Sequence, residues 1–340
     1  MTTASGDLRA YRLGSIDLLR GRAIVVMAID HVRDSFLAGA THDPMTDPNV
    51  DPALFLTRWI THFCAPVFVL LAGTSAGLMA ARKSRAELGR FLLTRGLWLV
   101  AVEVVVSSNV TIRSPSVVVI STAWTFAPHG IDELGGAVLV PMQVIWAIGA
   151  SMVVLAAAQF LGRGACLAIG LAIVVGHNLL DAVWPASTMF EPGPLWVALH
   201  AQMAASAGPF TFVFVYPLLP WIGVMMVGFG SAGVFEQPPA RRDAWLLRAG
   251  LGMTAAFLVL RALDVYGDPN PWQAQPGGTV ATLIDFFNVT KYPPSLAFLL
   301  MTLGPAAVLC AYASRFRGVV ADALVMFGRV PFAFYVAHLY

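Results

Sequence analysis

"LLRGRAIVVMAIDHVRDSF", residues 18–36, decides which solvent this chain is built for. Residues 23–29 are apolar throughout. Asp30, His31, Arg33 and Asp34 then arrive within five positions. On a water-exposed helix four such groups need no account. In lipid, a charge at mid-bilayer costs about 2.5–3.5 kcal/mol and must find a partner or a polar cavity. Composition settles the solvent. The 340 residues are 58% hydrophobic and 12% charged, with a mean hydropathy of +0.73. Soluble domains carry about 25% charged residues. A soluble fold cannot cover so much apolar surface, so most of this chain sits in lipid.

A helix crosses a bilayer with about 20 largely apolar residues. The pattern predicts an all-α, polytopic transmembrane helical bundle with nine spans: 18–38, 57–81, 89–108, 136–161, 164–184, 209–235, 243–264, 293–313 and 319–340. The last reaches residue 340 without a cap or turn. The expectation is a chain cut short at its C-terminus, with a further span beyond it. No inserted soluble domain, repeat or low-complexity tract interrupts the pattern, so residues 1–340 read as a single membrane-embedded domain. The polar first 20 residues, with no small-residue cleavage site after the first apolar run, do not form a signal peptide.

Basic residues give the orientation. With the N-terminus inside, fifteen Lys and Arg between Arg9 and Arg317 fall on the inner side. Five (Arg33, Arg58, Arg113, Arg261 and Lys291) fall outside. The expected location is a cytoplasmic (inner) membrane. The longer loops, 39–56, 109–135, 185–208 and 265–292, lie outside, where loops held on rigid elements carry function.

Several ionisable groups stand where lipid is expected. Asp30, Arg33 and Asp34 share a helix face at i, i+3 and i+4. They read either as an ion cluster pinning the first helix or as the wall of a polar cavity. Arg58 and His62 lie four apart near the outer end of span two, and Pro66 loosens the backbone four residues after His62. Arg58 also reads as an interfacial anchor, and His62 as a bundle histidine. Lys291 opens span eight beside Tyr292, as a site residue or a snorkelling anchor. Glu103, in an apolar helix, calls for a partner such as an arginine. His177, Asn178 and Asp181 form a further outward cluster. Gly73, Ser75 and Gly77 permit close helix contact, and "GFGSAG" at 228–233 reads as helix packing. Cys64, Cys166 and Cys310 are far apart in apolar segments, without metal spacing. No metal is expected. A net charge of +2 without a basic-aromatic stripe gives no nucleic-acid partner. A homodimer is left open. No soluble-enzyme motif is present.

Five blocks together resemble one family: "RLGSIDLLRGRAIVVMAIDHVRDSF", "LTRWITHFCAPVFVLLAGTSAGL", "YPLLPWIGVMMVGFGSAG", "NVTKYPPSLAFLLMTLGP" and "FGRVPFAFYVAHLY". They are similar to the bacterial relatives of heparan-α-glucosaminide N-acetyltransferase, in family order from residue 12 to the end. The resemblance implies an acetyl-CoA-dependent acyltransferase passing an acetyl group from the cytosolic side to an amino sugar on the far side. The lysosomal enzyme has a polar Asn on its first span and a catalytic His in the loop eleven residues later. His31 stands at the first position and His42 at the second. The chain departs from that pattern in "VRDSF", which replaces a glycine run, and in His62, which replaces an Asp.

The chemistry suits those residues. A neutral imidazole can take a proton from an attacking amine or hydroxyl, or accept an acyl group. Asp30 or Asp34 could orient it. The expected catalytic residues are His42, His31 and Asp30. Arg58, His62, Asp34 and Lys291 are expected at the acceptor. Arg20 and Arg22, with the basic cluster at 82–95, face the CoA phosphates, although positive-inside topology alone also accounts for them. The partners are the bilayer and a sugar or glycan acceptor. The rival reading is a transporter, or a lipid- or glycan-handling protein, of the same fold without acyl transfer.

Overall fold

A computed structural model describes residues 3–36, 45, 50–105, 111–114, 117–120, 138–183, 193–208 and 210–338. The first helix, α1 (Thr3–Phe36), is 34 residues long. Then come α2 (Pro52–Thr61), α3 (Cys64–Met79), α4 (Arg85–Val105), the hairpin β1 (Thr111–Ser114) and β2 (Val117–Ile120), and β3 (Val138–Met142). The middle of the chain holds α5 (Val144–Ala158), α6 (Arg163–Gly176), α7 (Leu179–Val183), α8 (Pro194–Leu199), β4 (Ala204–Ala207), β5 (Phe210–Phe214) and α9 (Leu218–Ser231). The last elements are α10 (Pro239–Leu263), α11 (Thr279–Phe287), α12 (Leu296–Ala311), α13 (Val319–Arg329) and α14 (Pro331–His338).

The bundle is polytopic and mostly helical, with two departures from expectation. First, two small sheets accompany the helices. β3 pairs in parallel with β5, and β4 pairs antiparallel with β5. The predicted fourth and sixth spans therefore begin as strands and become helical only at Val144 and Leu218. "VLVPM" and "FTFVF" are β-branched and aromatic runs too short for a helix, and hydropathy alone does not separate the two. Second, among the described residues four helical stretches are long and apolar enough to cross a membrane, where the sequence predicts nine: 52–79, 144–161, 218–236 and 239–263. Counting α13 and α14, bent by 81° at their junction, as one span makes five. The shortfall has physical causes. α1 and α4 carry too many charges, and α6 and α12 have only 14 and 16 residues.

The interior forms where α3, α9 and α12 meet. Trp221, Met225 and Phe298 are completely buried there, and Phe229 is nearly so. α3 and α9 approach at backbone distance. A Cβ on Gly73 would lie 2.0 Å from the Met225 carbonyl oxygen, and one on Gly228 would lie 2.2 Å from that of Leu70. The outside is apolar instead: Val25, Ile29 and Val32 line one exposed stripe of α1 at i, i+4 and i+7. Glu103, fully buried on α4, accepts the N–H of Trp146 at 3.1 Å in the first turn of α5. A helix N-terminus favours a carboxylate there.

At the opposite end of the bundle a capping box starts α4. The Ser84 hydroxyl accepts from the Glu87 N–H at 3.2 Å, and the Glu87 carboxylate accepts from the Ser84 N–H at 2.8 Å.

Candidate functional site

Asp30 is the hub of the polar residues on α1. One carboxylate oxygen accepts from Arg33 at 2.6 Å and from the Thr61 hydroxyl at 2.9 Å. The other accepts from Arg58 at 2.7 Å. Arg33 is one turn along α1, so helix geometry supplies that pair. Arg58 and Thr61 come from α2 and owe their position to how α2 begins and ends. The Asp51 side chain caps its start, accepting from the N–H groups of Ala53 and Leu54. Its end falls at His62 and Phe63, where Pro66 has no N–H for the His62 carbonyl and its ring crowds that oxygen. The break leaves Arg58 and Thr61 on one face, opposite Asp30.

Asp30, His31, Arg58 and Thr61 line a cavity of about 160 Å³, whose other walls include Lys291, Gln143, Tyr216 and Tyr292. His62 is not on that wall. It is 2% exposed, its ring 5.3 Å from that of Phe298, and its Nδ1 has no hydrogen-bond partner among the described residues. Lys291 Nζ sits 5.0 Å from the centre of the Tyr292 ring. Tyr292 in turn meets Tyr216, ring to ring at 5.1 Å.

The turn carrying Lys291 and Tyr292 is braced from two sides. Asp268 accepts from the Thr290 N–H and hydroxyl, both at 2.9 Å, and from the Ser295 hydroxyl at 2.6 Å. Asn178 accepts the Leu296 N–H at 2.9 Å and donates to Asp181 at 2.7 Å. Asp181 also holds His200 Nε2 at 2.7 Å. The predicted outward cluster at 177–181 thus supports the start of α12. Arg261 gathers the preceding loop by donating to the carbonyls of Asn270, Asp285, Phe286 and Asn288.

A second cavity, of about 430 Å³, adjoins the first. Its described lining is apolar apart from Arg20, Ser75, Arg95 and the Tyr335 hydroxyl, and includes Met79, Phe91, Met152 and Phe332. Arg20 donates to Asp17, to Ser75 Oγ and to the Gly328 carbonyl. Arg95 stacks on Trp98, 4.4 Å from the ring centre. Arg22 is elsewhere, its guanidinium 3.9 Å over the Phe316 ring, and it lines neither cavity. Met27, Phe68, Val144 and Tyr335 belong to both walls.

The structure thus gathers Asp30, His31, Arg58 and Lys291 at one chamber and Arg20 at the next. His42 and the side chain of Asp34 lie outside the described residues. The sequence reading missed Thr61, Gln143, Tyr216, Tyr292 and Tyr335. Tyr216 and Tyr292 each precede a proline at the start of an apolar run, a signal that reads as interfacial anchoring until the fold turns both rings inward. Among the described residues, no group of three or more His, Cys, Asp or Glu side chains could hold a metal ion.

The family model described as heparan-alpha-glucosaminide N-acetyltransferase, catalytic, matches residues 12–266 of this chain. The chain belongs to that family. No curated protein matches it. Membership in the heparan-alpha-glucosaminide N-acetyltransferase family, together with helices able to cross a bilayer, makes it a membrane protein of acetyltransferase type. The matched region contains Arg20, Asp30, His31, Arg58 and His62. Lys291, Tyr292 and Tyr335 lie beyond it.

Proposed function

We propose that the protein transfers an acetyl group across the membrane, from acetyl-CoA on the cytosolic side to an amine or hydroxyl of a sugar or glycan on the outer side. One observation carries this reading. A largely apolar chamber bearing Arg20 and Arg95 adjoins a smaller chamber walled by Asp30, His31, Arg58 and Lys291, and among the described residues the two share four wall residues. A thioester has an anionic nucleotide end that must stay near water and basic groups, and a neutral arm that an apolar channel accepts. An acceptor sugar needs the opposite, a chamber rich in hydrogen-bonding groups.

In this reading α1, α4, α6 and α12 complete a nine-span bundle in a bacterial inner membrane, with the N-terminus on the cytoplasmic side. Arg20 meets the CoA phosphates, and Arg22 adds positive charge to the same surface. Arg58, His62, Asp34 and Lys291 serve the acceptor. The resemblance assigns His42 as general base or acyl carrier, with His31 orienting the thioester and Asp30 setting the charge around them. The acceptor nitrogen or oxygen attacks the thioester carbonyl, the C–S bond breaks, and the acceptor's proton passes through imidazole to the departing thiolate.

The rival transporter reading finds support in the breaks between α2 and α3 and between α13 and α14, since broken helices line substrate paths in transporters. The two readings part on CoA. Purified protein with radiolabelled acetyl-CoA and glucosamine should release CoA and form N-acetylated sugar. Substitution His42→Ala should slow this by about 10²–10⁴, the usual cost of losing a general base. His31→Asn should be milder than His31→Ala, because Asn keeps a hydrogen-bonding amide. Sugar flux without CoA release would favour the transporter.

A further inference from the structure

Among the described residues the two cavities share four, and one of these has a polar side chain. Met27, Phe68 and Val144 are apolar; the fourth is Tyr335. It is 8% exposed, and it reaches this position because the last span is broken. Pro331 has no N–H to continue α13, and the chain turns by 81° into α14. The turned helix packs against α1. Phe332 and Tyr335, three apart, both line the inner chamber, and Tyr335 alone of the two also reaches the outer one. Tyr216 and Tyr292, hydroxyl to hydroxyl at 3.5 Å, continue the polar wall beyond it.

We infer that Tyr335 is a catalytic residue, its phenolic O–H donating to the carbonyl oxygen of the acyl thioester where the two chambers meet. The inference rests on the transferase reading. A group passed from one chamber to the other must react at their common wall. In the tetrahedral intermediate the carbonyl oxygen carries the negative charge. In a low-dielectric site that charge needs a fixed donor, and among the described residues Tyr335 brings the only side-chain donor common to both walls. As the acceptor nitrogen bonds to the carbonyl carbon, the Tyr335 O–H bond stays intact and stabilises the oxyanion. The carbonyl re-forms as C–S breaks, and the thiolate leaves with the proton released by the acceptor.

Full-length protein in lipid nanodiscs, with radiolabelled acetyl-CoA and glucosamine, tests this. Tyr335→Phe keeps the ring and removes only the hydroxyl. Its kcat should fall by about 10²–10³, the usual cost of losing one oxyanion donor, while KM for acetyl-CoA stays within about threefold. Full turnover in Tyr335→Phe overturns the assignment and leaves the transferase reading standing. Loss of acetyl-CoA binding in parallel with the rate also overturns it, because the residue is then only part of the wall. A wild-type protein that binds acetyl-CoA and never releases CoA removes the transferase reading and this assignment together.

A trap independent of turnover uses Tyr335→Cys in a Cys64→Ala background, with CoA supplied as its 2-pyridyl disulfide. The new thiolate attacks the CoA sulfur, forms a mixed disulfide and expels pyridine-2-thione, which is read by absorbance. Release should be at least about tenfold faster than in the Cys64→Ala protein that keeps Tyr335. Equal rates place the CoA sulfur elsewhere and overturn the assignment.

Discussion

Replacing Asp30 by Ala tests the ion cluster that opens the polar chamber. Asp30 is the carboxylate between two guanidinium groups at 2.6 and 2.7 Å, whose side chains are 8% and 12% exposed, and its own side chain is 14% exposed. Removing the carboxylate takes an anionic partner from two poorly hydrated cations, and the Thr61 hydroxyl loses an acceptor. Breaking a buried pair by deleting one partner costs about 3–5 kcal/mol, and loss of a hydrogen bond to a charged group about 1.5–3 kcal/mol. These overlap rather than add, because both count the same contacts. Asp30→Ala should therefore destabilise by about 3–5 kcal/mol and Asp30→Asn by less, since the amide still accepts. Thermal unfolding in nanodiscs reads the single variants. Pairing Asp30→Ala with Arg58→Met should recover part of the loss, giving a coupling of about 1–3 kcal/mol in a double-mutant cycle. Unchanged stability in Asp30→Ala, or strict additivity with Arg58→Met, refutes the idea that this carboxylate holds the cluster.

Other expectations follow from the same structure. Gly73→Ala forces a Cβ to within 2.0 Å of the Met225 carbonyl. It should cost about 1–3 kcal/mol or prevent folding, as overpacking does, and a thermal shift measures it. Asn178→Ala removes the acceptor of the Leu296 N–H and one of the donors to Asp181; it should raise KM for the acceptor more than for acetyl-CoA, because the turn it braces carries Lys291 and Tyr292. Cysteines placed at Ala274 and at Lys83 should react with a membrane-impermeant thiol reagent from opposite sides, the first from outside. The reverse pattern would invert the proposed topology.

Much of this arrangement was legible in the sequence. The fall from an apolar run into Asp30, His31 and Arg33 announced a group of charges that needs partners inside the bundle. Pro66 announced the break after α2. Gly73 and Gly77 announced close packing, and local spacing alone carries such features. The rest depends on contacts between distant segments. Hydropathy sees "FTFVF" as apolar and cannot see that it pairs with "VLVPM" 72 residues earlier. Lys291 and Tyr335 reach the cavities through a loop braced by Asp268 and a helix turned at Pro331. Nothing in the immediate sequence around either residue separates a cavity wall from a membrane anchor. Arg22 shows the converse: its position beside Arg20 suggested a shared ligand, yet two residues along a helix turn the side chain by about 200°, and it stacks on Phe316 instead.

The most direct test of transmembrane acetyl transfer is sidedness. Oriented proteoliposomes would hold radiolabelled acetyl-CoA on the side of the N-terminus and glucosamine on the other. The account predicts N-acetylglucosamine on the glucosamine side and free CoA retained with the donor. Product appearing only when donor and acceptor share a compartment would contradict it.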